Sequence, residues 1–108
     1  MFVYNVTVSI DESVREEWLN WMKNVHVPDV MSTGLFIESK ILKVLSEEDQ
    51  GNTFSFQYTF IEMEDYNRYK REFAPKLQKD VADKYAGKFA AFRTIISHSR
   101  FICFTITS

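Results

Sequence analysis

Cysteine, glycine and proline are scarce in this sequence. Among 108 residues there are one cysteine, Cys103, three glycines and two prolines. A single cysteine excludes a disulfide within the chain, and its apolar, strand-like surroundings favour a buried, inert thiol over a nucleophile. No metal-binding, phosphate-binding or catalytic-triad motif occurs, so neither a metal nor a cofactor is expected. A reducing, cytoplasmic environment fits this composition best.

Long apolar runs and an excess of positive charge are also missing. No segment approaches the roughly 18 to 20 apolar residues of a membrane helix, and residues 1–10 lack the basic and long apolar regions of a signal peptide. The formal net charge is -2 and the sequence pI is about 5.7, whereas recognition of the nucleic-acid backbone normally needs clustered lysine and arginine. We therefore expect no export, no membrane insertion and no nucleic-acid partner.

Apolar and aromatic side chains, in contrast, are abundant. The hydrophobic fraction is 45%, the aromatic fraction is 16%, and ten residues are phenylalanine. Burial of so much apolar surface can offset an ordering cost on the order of 100 kcal/mol. A chain of this length has room for one core, so we expect a single domain over residues 1–108.

The spacing of apolar residues predicts the order of the secondary-structure elements. Alternation with a period of two predicts strands, and apolar residues three and four apart predict helices. On this basis we predict strands over 2–10, 36–45, 53–61 and 89–98, and helices over 11–26 and 63–86. Pro28 predicts a break or kink of the first helix near His26, and Pro75 divides the second. Residues 101–107 either prolong the last strand or form an additional one.

This order of elements predicts an α+β fold of the ferredoxin-like βαββαβ type, an antiparallel four-stranded sheet with both helices on one face. The even-numbered apolar positions of the first and third strands are expected to face the helices. The opposite face then carries polar residues, namely Asn5, Thr7, Ser55, Gln57 and Thr59. A second protomer is the natural cover for this face, so we expect a homodimer formed through the sheets.

Five short motifs give a resemblance to known proteins: Y-N-V-T-V at 4–8, W-x-x-W-M at 18–22, H-x-P-D-V at 26–30, E-F-A-P-x-L at 72–77 and K-F-x-A-F-R-T at 88–94. The chain resembles the dimeric α/β-barrel superfamily, in which two ferredoxin-like protomers pack sheet to sheet around a small cavity. Its members include antibiotic-biosynthesis monooxygenases, heme-degrading monooxygenases and muconolactone-isomerase-like proteins. More closely, the chain resembles a family of short bacterial proteins that carries a domain-of-unknown-function label.

The heme-degrading relatives differ from this chain in their characteristic residues. The resemblance implies an asparagine on the first strand, which Asn5 matches. It also implies a tryptophan near the end of the third strand, where this chain has Phe60, and a histidine on the second helix, where residues 66–85 have none. Heme degradation is therefore not expected.

His26 and Asp29 lie three residues apart across the predicted break. In one interpretation they form a catalytic pair, in which the carboxylate orients the imidazole and raises its pKa for a role as general base. In the other, Asp29 caps the short helical turn after Pro28 and His26 packs at the edge of the apolar stripe. Trp18 and Trp21, on the same helix, are expected to lie in the core, with the lining of a ligand pocket as the alternative.

Arg93 lies inside a predicted strand, where a cation needs a carboxylate, a ligand anion or solvent. An ion pair within the dimer and substrate binding are both open at this stage.

Two candidate functions follow from the sequence. The protein is either a non-catalytic homodimer that works as a ligand-binding or interaction module, or a cofactor-free, monooxygenase- or isomerase-like enzyme for a small organic substrate. In the enzyme, Asn5, Gln57 and Arg93 would orient the substrate in the barrel cavity and His26 would act as base.

Overall fold

The computed structural model describes residues 1–48 and 50–97, which form one four-stranded antiparallel sheet with helices on one face. The strands are β1 (Phe2–Ile10), β2 (Glu38–Lys43), β3 (Thr53–Phe60) and β4 (Phe89–Ser97), in the spatial order β2-β3-β1-β4. The helices are α1 (Arg15–Trp21), α2 (Val27–Met31), α3 (Met63–Glu72) and α4 (Ala74–Lys84). This arrangement confirms the predicted ferredoxin-like fold. The predicted additional strand over 101–107 lies outside the described residues.

The regular α-helix is interrupted near His26, as Pro28 predicts, and Pro28 lies in the first turn of the short helix that follows. The chain continues from α1 into α2 through a π-helical turn, Met22–His26, in which the amide of Val27 donates to the carbonyl of Met22. A proline inside a regular α-helix lacks the amide proton that the preceding turn would bind, and its ring collides with the carbonyl four residues earlier. The wider turn relieves this conflict and places His26 at its end.

The second helical segment divides beside Pro75, as predicted. Its two halves, α3 and α4, meet at Phe73, whose backbone dihedrals (φ -120°, ψ -38°) leave the helical region. Pro75 then occupies the first turn of α4, where its missing amide proton has no helical partner in any case. This bend lets the two halves follow the twisted sheet separately.

The second strand is shorter than predicted. Regular pairing covers Glu38–Lys43 rather than 36–45, although Ile37 and Val44 still donate backbone hydrogen bonds to β3. Phe36 leaves the strand to enter the core, where it is 5% exposed.

The core lies between the sheet and the helices. The even-numbered positions of β1 and β3 face the helices, as predicted, and β3 alternates without exception between buried and half-buried residues. The largest side chains that are less than 2% exposed are Trp18, Phe56 and Phe60. Within the described part of the chain, no helix is long and apolar enough to cross a membrane.

The register of β1 with its two neighbours, β3 and β4, fixes which side chains share a face. Val6 on β1 lies opposite Phe56 on β3 and Arg93 on β4, so Arg93 belongs to the helix-facing side. Asn5 lies opposite Gln57 and Thr94, so those residues belong to the open face of the sheet.

Candidate functional site

A cavity lies between the helices and the helix-facing side of the sheet. Its volume is about 50 Å³, which is room for a few water molecules. It adjoins a wider depression of about 440 Å³ that is open to solvent and that we call the mouth. The cavity and the mouth share four lining residues, which are Tyr4, Tyr69, Gln78 and Arg93. These four residues therefore mark the passage between the buried space and the surface.

The walls of the cavity are mostly apolar, and its polar groups are few. Val8, Trp18, Phe56 and Val81 supply buried walls from β1, α1, β3 and α4. The polar side chains that reach it are three tyrosines, together with His26, Gln78 and Arg93. Such a lining is typical of sites for small organic molecules, which usually enclose about 300–1,000 Å³. The cavity alone is smaller, and the mouth supplies the further space.

Tyr4 stands at the passage. It is only 3% exposed, and its ring centroid lies 5.2 Å from that of Tyr66 and 5.7 Å from that of Tyr69. Burial raises the pKa of Tyr4 and outweighs the neighbouring Arg93 and Gln78 side chains, which act in the opposite direction. The phenol therefore keeps its proton at neutral pH and can donate a hydrogen bond.

Tyr58 and Tyr69 line the same cavity, and burial raises the pKa of both phenols as well. With Tyr4, they give the site three neutral hydroxyl groups and no phenolate at neutral pH. The aromatic walls of the site are therefore uncharged.

His26 reaches the cavity from the end of the π-helical turn. Its ring stacks on Trp21, with centroids 5.7 Å apart and an interplanar angle of 26°. Burial lowers the pKa of His26, while the carboxylates of Asp29 and Asp80 raise it and Arg93 lowers it further. Because burial is the largest effect, the imidazole is neutral at pH 7 and can accept a proton.

The expected effect of Asp29 on His26 is therefore present but not dominant. Within the described residues, no hydrogen bond joins the two side chains, and Asp29 faces a separate surface groove with Glu72 and Lys76. Asp29 does not cap α2 either, since that helix has no side-chain capping hydrogen bond. The structure thus places His26 at the cavity and leaves Asp29 outside it.

Arg93 lies at the mouth and is solvent-exposed. Among residues 1–48 and 50–97, no carboxylate oxygen lies within 4.0 Å of its guanidinium nitrogens. Lys70 lies on the same mouth, and no aspartate or glutamate of the described part of the chain lines it. The mouth is therefore cationic, although the chain as a whole has a net charge of -2.

Asn5 and Gln57 lie on the opposite side of the sheet. Asn5 Oδ1 accepts hydrogen bonds from the Ser55 hydroxyl and from Gln57 Nε2. Asn5 Nδ2 donates to Thr7 Oγ1 at 3.1 Å and to Thr94 Oγ1 at 3.3 Å. This polar network on the open face is separated from the cavity by the thickness of the sheet.

The structure therefore brings together His26 and Arg93, but it does not bring Asn5 or Gln57 to them. Within the described residues, no cluster of three or more histidine, cysteine, aspartate or glutamate side chains has an arrangement that could hold a metal ion.

Comparison with known proteins identifies the family of this chain. Residues 1–99 match the family model described as Domain of unknown function (DUF4286). The chain belongs to this family. A search of curated proteins gives no match.

Several solved structures share the fold. A dimeric ferredoxin-like protein from an uncultured marine organism aligns with a TM-score of 0.70 at 18% identity, over 93% of this chain and 96% of that chain. A protein of the ethyl tert-butyl ether d (ethd) family from Bacillus halodurans gives a TM-score of 0.69 at 16% identity, over 92% and 100%. An antibiotic biosynthesis monooxygenase gives 0.56 at 12% identity, over 87% and 96%. At these identities the likeness shows the fold alone.

The sequence pattern did not predict that Tyr4, Tyr58, Tyr69 and Gln78 line the cavity. A signal for Tyr4 was present, because a hydroxyl on an otherwise apolar strand face needs a polar neighbour. No comparable signal marks Gln78, whose position at the passage depends on how α4 packs against the sheet.

Proposed function

We propose that this protein is a cytoplasmic homodimer, one domain per chain, that binds a small organic molecule between the helices and the sheet. The observation that carries the proposal is the position of Arg93, a cation without a carboxylate partner among the described residues, at the mouth of a cavity with aromatic and apolar walls. Gln78 and the Tyr4 hydroxyl supply further hydrogen-bonding groups at the same passage. Such a combination gives both affinity for an apolar body and orientation of a polar group.

The open face of the sheet supports the homodimer. Phe92 and Ile96 on β4 are 72% and 47% exposed there, and Leu42 on β2 is 44% exposed. They flank the polar network around Asn5, which gives an apolar rim around a hydrogen-bonded centre. A similar solved protein is described as dimeric. In such a dimer the proposed ligand site stays accessible, because it lies on the other side of each sheet.

A substitution that fills the cavity tests the ligand site. Ala91 on β4 is half-buried and lines the cavity but not the mouth, so Ala91→Leu is expected to fill the cavity and to weaken the binding of a molecule that extends into it from the mouth. The measurement is the melting temperature in the presence of a panel of one-ring and two-ring aromatic compounds, neutral and anionic. A ligand at 100 times its Kd stabilises the wild type by about 2.7 kcal/mol, which is about 10 °C or more for a domain of this size.

The matched control is Ala82→Leu, which adds the same volume at an exposed position of α4. It should keep every thermal shift of the wild type, and Ala91→Val should give an intermediate loss with less risk of overpacking. The proposal is refuted if no compound shifts the wild-type melting temperature, or if Ala91→Leu responds to the same compounds as the wild type.

A second candidate function is a cofactor-free enzyme of the monooxygenase or isomerase type, and His26 favours it. A neutral imidazole inside a largely apolar cavity is suited to act as a general base toward a bound substrate. The discriminating experiment adds hydroquinones of one and two rings and measures dioxygen uptake and product formation. Turnover that His26→Gln abolishes, with an unchanged melting temperature, would establish the enzyme. Binding without turnover would support the ligand-binding protein instead.

A further inference from the structure

The charges around the cavity are unevenly distributed. Among the residues that the structure describes, two cations, Lys70 and Arg93, line the mouth, and no carboxylate does. The carboxylates of Asp29 and Asp80 raise the pKa of His26, and neither residue lines the mouth. A ligand that enters therefore meets positive charge first and a neutral imidazole further in.

We propose that the ligand is a planar organic acid, bound with its anionic group on Arg93, and that its binding places a proton on His26. The inference rests on the proposed function, since it names the chemical class of molecule that occupies the same cavity and mouth. It goes further in coupling the occupancy of the site to pH.

The preference for an anion follows from Arg93. A guanidinium binds a carboxylate through two parallel hydrogen bonds and is weakly hydrated, so it gives up water at low cost. The side chains of Arg93 and Gln78 hydrogen-bond to the phenol oxygen of Tyr4, and the Tyr4 O–H remains a donor for an oxygen atom of the ligand. A neutral molecule of the same shape, such as the amide of the acid, would lack the negative charge that interacts with Arg93.

The preference for a flat, ring-shaped ligand follows from the tyrosines that line the mouth. Tyr4, Tyr66 and Tyr69 form a group of rings with centroids 5.2 Å and 5.7 Å from Tyr4, tilted at 49° and 54° to it. A flat ring can pack against such surfaces by offset or edge contacts. The same residues line the mouth, so a ring attached to the acid would rest there.

The uptake of a proton follows from the charged groups near enough to His26 to shift its pKa. These are Asp29 from α2, Asp80 from α4 and Arg93 from β4. An anion on Arg93 neutralises the cation that disfavours imidazolium, while the two carboxylates continue to favour it. Binding therefore raises the pKa of His26 above its value in the free protein, and protons are taken up. Affinity is highest below the pKa of His26 in the free protein, falls as the pH rises from there through the pKa of the complex, and is constant above it.

Matched acid and amide pairs test the class of ligand. The probes are benzoate with benzamide and 2-naphthoate with 2-naphthamide, titrated by tryptophan fluorescence. Each acid is expected to bind more tightly than its amide by about tenfold or more, the value of one charge-assisted hydrogen bond. Arg93→Met should remove this preference, and Arg68→Met, which makes the same change of charge on the exposed face of α3, should retain it.

A pH series tests the proton. Between about pH 5 and about pH 8, where the probe acids stay ionised, acid affinity should fall with rising pH and amide affinity should not. The slope should disappear in His26→Gln. Calorimetry of the wild type in phosphate and in Tris should show proton uptake from the difference in heat.

The outcomes separate this inference from the function on which it rests. If amides bind as well as acids, or if the pH slope persists in His26→Gln, the inference is overturned and the ligand site stands. If neither member of any pair binds, both the ligand site and the inference are overturned. Preference for acids that Arg93→Met removes, with a slope that His26→Gln removes, supports both.

Discussion

Trp18→Ala is expected to destabilise the protein by about 3–5 kcal/mol, and Trp21→Ala is expected to cost clearly less. Trp18 is 0% exposed and packs between Phe54 and Phe56, with ring centroids 5.5 Å and 5.6 Å away. Its removal leaves a cavity beneath α1 that the rigid sheet cannot fill. Trp21 is only half-buried and stacks on His26 near the surface, so its neighbours can adjust.

Urea unfolding measures this difference. Each alanine variant retains one tryptophan as a fluorescent reporter, and an unchanged slope with urea would show that only stability has changed. A loss of about 3–5 kcal/mol is a large part of the roughly 5–15 kcal/mol that stabilises a typical domain. Trp18→Phe is the milder control, because the indole N–H has no hydrogen-bond partner in the described structure and a smaller volume is lost. Equal losses for Trp18→Ala and Trp21→Ala would contradict the assignment.

Thr7→Arg is expected to convert the proposed dimer into monomers. Thr7 lies on the open face of β1, opposite Ser55 and Phe92. An arginine there would be buried in the dimer without a partner, and an unpaired buried polar or charged group costs several kcal/mol. A loss of about 2.7 kcal/mol already weakens association about hundredfold, which sedimentation equilibrium at micromolar concentration detects readily.

Two controls accompany Thr7→Arg. Thr7→Val removes the hydroxyl without adding charge and should remain dimeric, while Asn67→Arg adds the same charge on the exposed face of α3 and should also remain dimeric. Circular dichroism should show the same fold in all variants. A wild type that sediments as a monomer would remove the homodimer from the proposed function.

Local pattern was enough to predict most of the fold. Alternation gave the bounds of β1, those of β3 to within one residue, and the face of each strand that meets the helices, because side chains of a strand alternate strictly between its two faces. Pro75 gave the division between α3 and α4. Pro28 gave the interruption of the first helix near His26, but not its π-helical form, which depends on how the flanking helices pack against the sheet.

The candidate site was harder to predict from the sequence pattern than the fold was. His26 and Arg93 were selected as single residues by their chemistry, yet their meeting at one cavity depends on segments that are far apart in the chain. Arg93 was grouped with Asn5 and Gln57, whereas its pairing with Val6 places it on the opposite side of the sheet. A shift of one residue in register exchanges the two faces, and the motif around Arg93 carries no information on that register.

The sequence by itself determined the order of the elements and the helix-facing side of β1 and β3, because both depend on the periodicity of neighbouring residues. It also placed one histidine beside the first helix. Only the tertiary structure decided that Arg93 faces the helices, that Tyr4 and Gln78 stand beside it, and that burial lowers the pKa of His26 against the pull of Asp29. The reason is physical: strand register and desolvation arise from contacts between distant segments, which local spacing does not record.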